Sequence, residues 1–211
     1  MPNNQTKRLA HGAMMIALFT ILIAIAFYVP MISLIASLFA PLPIAWYSAK
    51  YNRSSSILVA VLGCIISFFF GGLIILPFSF IFAAIGVVMG DALRLKKSKV
   101  FLLMSTGVTI LITLAIEYLI SLKLLETDII KESLKLMRES YSQAMTLSES
   151  LTGQQSAMNA ELMNVLFDTM ETTIPASITI AVFLLAFIVI TTNLPLLKRF
   201  GVNVPKFSAF K

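Results

Sequence analysis

Glu117 is the one acidic residue inside a long apolar run, so it is the side chain best placed to do chemistry at membrane depth. A charged group there costs roughly 2.5 to 3.5 kcal/mol on insertion scales and must face protein or water rather than lipid. It can contact a ligand, a cation or a proton, or it can stand a turn or two from the interface and simply reach water. Tyr28, Phe69, Phe70, Tyr118, Thr173, Ser177 and Thr179 fall at the same apparent ends of the apolar runs. Aromatic rings with a few polar groups suit a small-molecule pocket between helices, and they equally suit an interfacial belt. Tyr28, Phe70, Glu117, Tyr118 and Ser177 are the candidate ligand-binding residues.

Other chemistry is poorly provided for. His11 is the only histidine and Cys64 the only cysteine. One of each allows no intrachain disulfide and no Cys/His metal set, and a Ser/His/Asp triad would depend on His11 alone. No GxxxxGK[ST] loop, GxSxG elbow or intramembrane Asp pair occurs, so neither nucleotide hydrolysis nor acyl transfer has a motif here. The expectation is a protein that is not an enzyme and has no catalytic residues, metal site or cofactor. Asp91 stands three residues before Arg94, a spacing that favours an ion pair on a helix. Ala13 and Ala17, like Gly86 and Gly90, are small residues four apart, which let helices approach closely, either within the chain or against another membrane protein.

The elements that position these residues are written in apolarity and charge. Hydrophobic residues make up 58% of the 211 and charged ones only 12%, against about 25% charged in soluble domains. Mean hydropathy is +0.93. This is the composition of an integral membrane protein. The net charge of +6 sits in short segments beside apolar runs, where it orients helices and meets anionic lipid; no basic groove with interleaved aromatics suggests nucleic acid.

Eight of the ten acids lie between Lys123 and Thr173, and twelve of the sixteen Lys and Arg lie elsewhere. Lys7 and Arg8 precede the first apolar run; Lys50 and Arg53 follow the second; Arg94, Lys96, Lys97 and Lys99 follow the fourth; Lys198, Arg199, Lys206 and Lys211 follow the last. By the positive-inside rule this alternation predicts six spans, with both termini cytoplasmic and the acidic stretch outside. The expected spans are Gly12–Tyr28, Met31–Ala49, Ser54–Phe70, Leu73–Met89, Val100–Leu122 and Ala176–Leu194. Pro41 and Pro43 must kink or unwind the second. Gly71-Gly72 should turn the third into the fourth as an antiparallel hairpin.

Between the last two spans, Leu125, Ile129, Leu134, Met137, Tyr141 and Met145 recur at helical spacing among charges. Met158, Leu162, Val165, Leu166 and Met170 do so again. Thr152-Gly153-Gln154 is the expected turn. The fold class expected is therefore all-α and polytopic: spans one to five over 1–122, an extracytoplasmic amphipathic helical hairpin over 123–173, and the sixth span with a basic tail over 174–211.

Two stretches carry a resemblance. His11-Gly-Ala-Met-Met-Ile-Ala-Leu-Phe-Thr, running through Tyr28-Val-Pro to Pro41-Leu-Pro43, and the closing Leu197-Lys-Arg-Phe-Gly-Val-Asn-Val-Pro-Lys-Phe207 resemble the YybS family of uncharacterised bacterial membrane proteins. With the turn over Gly86–Lys97, the likeness extends across most of the chain. That family is distantly similar to the S components of energy-coupling-factor vitamin transporters. The resemblance implies six helices with both ends inside, a small molecule held near the outer face, and an AxxxA pattern on the first helix that docks a membrane coupling subunit working with ATPases. Ala13 and Ala17 are the corresponding positions. The implied function is uptake of a small molecule at the plasma membrane; the competing one is a structural or regulatory protein whose outer hairpin binds a protein partner.

Overall fold

The computed structural model describes residues 4–124, 126, 128–152 and 157–204, and these residues form seven helices. They are α1 (Asn4–Tyr28), α2 (Ser33–Phe39), α3 (Leu42–Lys50), α4 (Arg53–Arg94), α5 (Lys99–Leu124), α6 (Ile129–Thr152) and α7 (Ala157–Arg199). Helix is the expected outcome for such apolar runs, since lipid offers backbone groups no partners and the helix satisfies them internally. Ser98 Oγ accepts from the Phe101 amide at 3.2 Å and so caps α5; Asp128 does the same for α6 through the Lys131 amide.

The expected count of six spans is corrected. Among the described residues, four helices are long and apolar enough to cross a bilayer: Gln5–Tyr28, Arg53–Arg94, Lys99–Lys123 and Thr172–Arg199. The second apolar run is not one helix. Pro41 splits it into α2 and α3, of 7 and 9 residues, each far short of the roughly 20 residues needed to cross. The third and fourth runs are joined in the 42-residue α4, in which two helices meet across a kink at Gly72.

A straight helix of that length would extend about 63 Å, about twice the hydrocarbon thickness. Gly72, at φ 61° and ψ −151°, breaks the helical conformation and kinks α4 there. Both arms then line one apolar crevice, Ile57, Ala60 and Cys64 from the first and Leu76, Phe80 and Ala83 from the second. That backbone region is open essentially to glycine alone, and a Cβ at Gly72 would meet nothing within 4 Å. Gly72→Ala should therefore lower stability through the backbone only, by about 1–3 kcal/mol, read as a lowered unfolding midpoint in detergent; an unchanged midpoint would rule the strained turn out.

The chain divides into two compact units, residues 1–114 with 182–211, and residues 115–181. In the first, Phe19 and Ile23 of α1, Ile44 of α3, Ile75 and Ile85 of α4 and Val189 of α7 are buried together. A second cluster joins Ala45, Met89, Leu93, Leu102 and Leu197. No more than about a third of each long apolar stretch is buried within the chain, the pattern of helices that face lipid on one side. In the second unit, α6 pairs with the early part of α7: Arg138 bonds Asp168 at 3.1 Å, and the Tyr141 and Phe167 rings meet edge to face. The expected turn at Thr152-Gly153-Gln154 falls on residues 153–156, outside the described residues, as do Lys206, Phe207 and Lys211.

Candidate functional site

The two pairs of small residues have opposite fates. Gly86 and Gly90 of α4 are filled by α3: a Cβ at Gly86 would lie 2.8 Å from the Pro41 carbonyl oxygen, and one at Gly90 would lie 2.4 Å from that of Ala45. Their smallness is consumed in packing. Ala13 and Ala17 of α1 are exposed. With Ile16, Thr20, Ile66 and Phe70 they line an open, apolar groove of about 370 Å³. Thr20, in its wall, is buried at 5% exposure, and its enclosed hydroxyl has no hydrogen-bond partner among the described residues. An unpaired buried hydroxyl costs about 1–3 kcal/mol.

The groove is held by bonds at both ends of α1. At the far end the Tyr28 hydroxyl donates to the Phe70 carbonyl, so two of the candidate ligand residues do meet, and Phe70 serves the groove. At the near end α1, α3 and the residue after α7 meet. His11 Nδ1 shares a hydrogen bond with the Tyr51 hydroxyl and meets Trp46 edge-on at 5.4 Å. Lys50 Nζ lies 4.1 Å above the Trp46 ring, whose Nε1 donates to the Phe200 carbonyl at 3.1 Å. The sole histidine thus packs against Trp46 and Tyr51.

Asp91 is the hub of this end. It pairs with Arg94 at 2.9 Å, as its spacing suggested, and also with Arg53 at 3.4 Å and the Ser48 hydroxyl at 3.0 Å. Arg94 continues to the Tyr51 carbonyl at 2.8 Å. Five charged or polar groups thereby fix the end of α3 against both ends of α4. Arg53 and Ser48 carried no separate signal in the sequence, because they are brought to Asp91 from some forty residues away.

Asn193 was missed as well. It is fully buried in α7, and its Nδ2 donates at 2.8 Å to the carbonyls of Leu38 and Val189. Leu38 lies just before the Pro41 break, where helix carbonyls lose their amide partners. An asparagine in an otherwise apolar run was the available signal; which carbonyl it serves, 155 residues away, was not.

The remaining candidates, Glu117, Tyr118 and Ser177, belong to the second unit. The Tyr118 hydroxyl donates to Asp128 at 3.2 Å, and the proximity of that carboxylate is accordingly structural. Glu117 is half-buried, with one carboxylate oxygen enclosed and unpaired. Ser177 is exposed. Among the described residues no three His, Cys, Asp or Glu side chains converge as a metal site requires.

Comparison with known proteins places the chain among membrane proteins. The uncharacterized protein YybS of Bacillus subtilis is 25% identical over 208 residues, covering 98% of this chain and 67% of that protein. No solved structure matches. The family DUF2232, described as a predicted membrane protein, matches residues 17–211. The chain spans a membrane several times and belongs to the YybS-like DUF2232 family of bacterial membrane proteins.

Proposed function

We propose that this protein is a non-catalytic binding subunit of the plasma membrane, with cytoplasmic termini, that docks a membrane coupling subunit through α1 and delivers a small molecule for uptake driven by separate ATPases. The observation that carries the reading is the open groove at Ala13 and Ala17. Small residues four apart on a lipid-exposed helix face let a second helix approach closely. Elsewhere in the first unit the equivalent pair is already filled by the chain itself. Support for the ligand half is the resemblance to S components and the unpaired oxygen of Glu117.

Ala17→Leu fills the groove from an exposed position, so it should leave detergent stability within about 0.5 kcal/mol. It should abolish co-purification with the energy-coupling membrane subunit of the same organism, which Ala17→Ser should preserve. Undiminished co-purification of Ala17→Leu would defeat the docking reading. One observation favours a second reading, in which the hairpin of the second unit binds a protein. Leu136 and Met137 of α6 and Leu166 and Met170 of α7 are exposed and line a common apolar depression, more apolar surface than a hairpin with no partner needs.

A further inference from the structure

We propose that the crevice between the start of α5 and the end of α7 binds an anionic phospholipid, acyl chain along the helices and phosphate at Lys99 and Lys198. This site is separate from the α1 groove. Its walls are Val100 and Leu103 from α5 and Phe187, Ile190 and Leu194 from α7, enclosing about 560 Å³, within the roughly 300–1,000 Å³ of small-molecule sites. Val100 and Phe187 are each 55% exposed, so the crevice opens sideways toward lipid. Among these apolar walls Lys99 and Lys198 are the two charged lining residues, and Thr191 the one hydroxyl.

Charge identifies the occupant. Lys99 and Lys198 both line the crevice, and Lys96, Lys97 and Arg199 stand exposed beside them in the chain. An anion between the two lysines is attracted by both charges, and basic pockets between helices suit phosphate headgroups. The apolar length beneath the lysines requires the anion to carry a hydrocarbon chain, which a free phosphate lacks.

The backbone builds the mouth deliberately. α4 stops with the Lys97 amide bonded to the Ala92 carbonyl and Lys96 at φ 52°, a left-handed cap usually given to glycine. A lysine there carries a strain of about 1 kcal/mol or more and leads directly into Ser98 and Lys99. α7 stops the same way, with Val202 bonded to Leu197 and Gly201 at φ 76°. That turn returns Val204 to the crevice wall.

The test measures lipid retained on the detergent-purified full chain by native mass spectrometry, with phosphatidylglycerol, phosphatidylcholine or inorganic phosphate added. Phosphatidylglycerol should bind in preference to phosphatidylcholine and withstand millimolar inorganic phosphate. Lys99→Gln with Lys198→Gln should weaken it by about tenfold or more, whereas Lys7→Gln should not. Thr191→Trp keeps both lysines but blocks the crevice from an exposed position, and should also lose the lipid. This arm stands if the double variant does not fold. Equal retention of phosphatidylcholine, displacement by inorganic phosphate, or undiminished phosphatidylglycerol binding in either variant would overturn the assignment.

Discussion

Gly90→Leu should prevent recovery of folded, monodisperse protein. At this position a Cβ alone would lie 2.4 Å from the Ala45 carbonyl oxygen, 2.5 Å from Ser48 Cβ and 3.0 Å from the Ala49 amide. Two of these neighbours are backbone, so no rotamer change relieves the clash and α3 itself must move. It is not free to do so. Ser48 Oγ donates to the Val87 carbonyl and to Asp91, and Arg94 donates to the Tyr51 carbonyl. Displacing α3 would break all three bonds and open the cluster around Ala45, Met89 and Leu93.

Overpacking typically costs about 1–3 kcal/mol, the range expected for Gly90→Ala, and the longer leucine side chain should exceed it. Size-exclusion chromatography and thermal unfolding in detergent provide the measurement, with Ala17→Leu as a substitution of similar bulk on an open face. A Gly90→Leu protein as stable as native would show that α3 does not pack on α4 this way.

The contrast between those two sites marks what the sequence could disclose. Ala13-xxx-Ala17 and Gly86-xxx-Gly90 have the same spacing, and spacing records only that a helix face is small. Whether the face is covered depends on α3, which reaches α4 because Pro41 turns the chain. Charge partition was legible for the opposite reason. Lys50, Arg53, Arg94 and Lys198 each follow an apolar run, and position along the chain alone assigns them to one end, where the structure gathers Arg53 and Arg94 on Asp91.

The number of crossing helices was not legible. An apolar run measures solvent preference and not helix length, so Met31–Ala49 reads as a span although Pro41 leaves helices of 7 and 9 residues. The proline break itself was plain. Local pairing was equally plain: Asp91 and Arg94 are one turn apart, whereas Ser48, Arg53 and Asn193 acquire their partners only on folding. Nearness to span ends does not discriminate between a ligand pocket and hydrogen bonds already made within the chain, such as Tyr28 to Phe70 and Tyr118 to Asp128.

Asn193→Asp should be the most damaging single change in α7. Pro41 lacks an amide hydrogen, and the turn it makes leaves the carbonyls at the end of α2 short of intrahelical partners. Lipid supplies none, so a side chain must. Asn193 does this with one nitrogen, which donates both to Leu38 and to Val189 in its own helix, tying α7 to the break. Its Oδ1 is buried without a partner, so the residue is already half-satisfied and the nitrogen is what stabilises it.

Leucine of similar size removes the unpaired oxygen but abandons the Leu38 carbonyl, while the Val189 carbonyl keeps the backbone amide of residue 193 within α7, a net loss of about 1–3 kcal/mol. Aspartate replaces the donor with an acceptor and points a second oxygen at those same carbonyls. Burying an unpaired carboxylate costs several kcal/mol more. The expected order of unfolding midpoints in detergent is therefore native, then Asn193→Leu, then Asn193→Asp by a wide margin. Were leucine to match native within about 0.5 kcal/mol, the carbonyl of Leu38 would have another partner and the tie between α7 and the proline break would be of no consequence to stability.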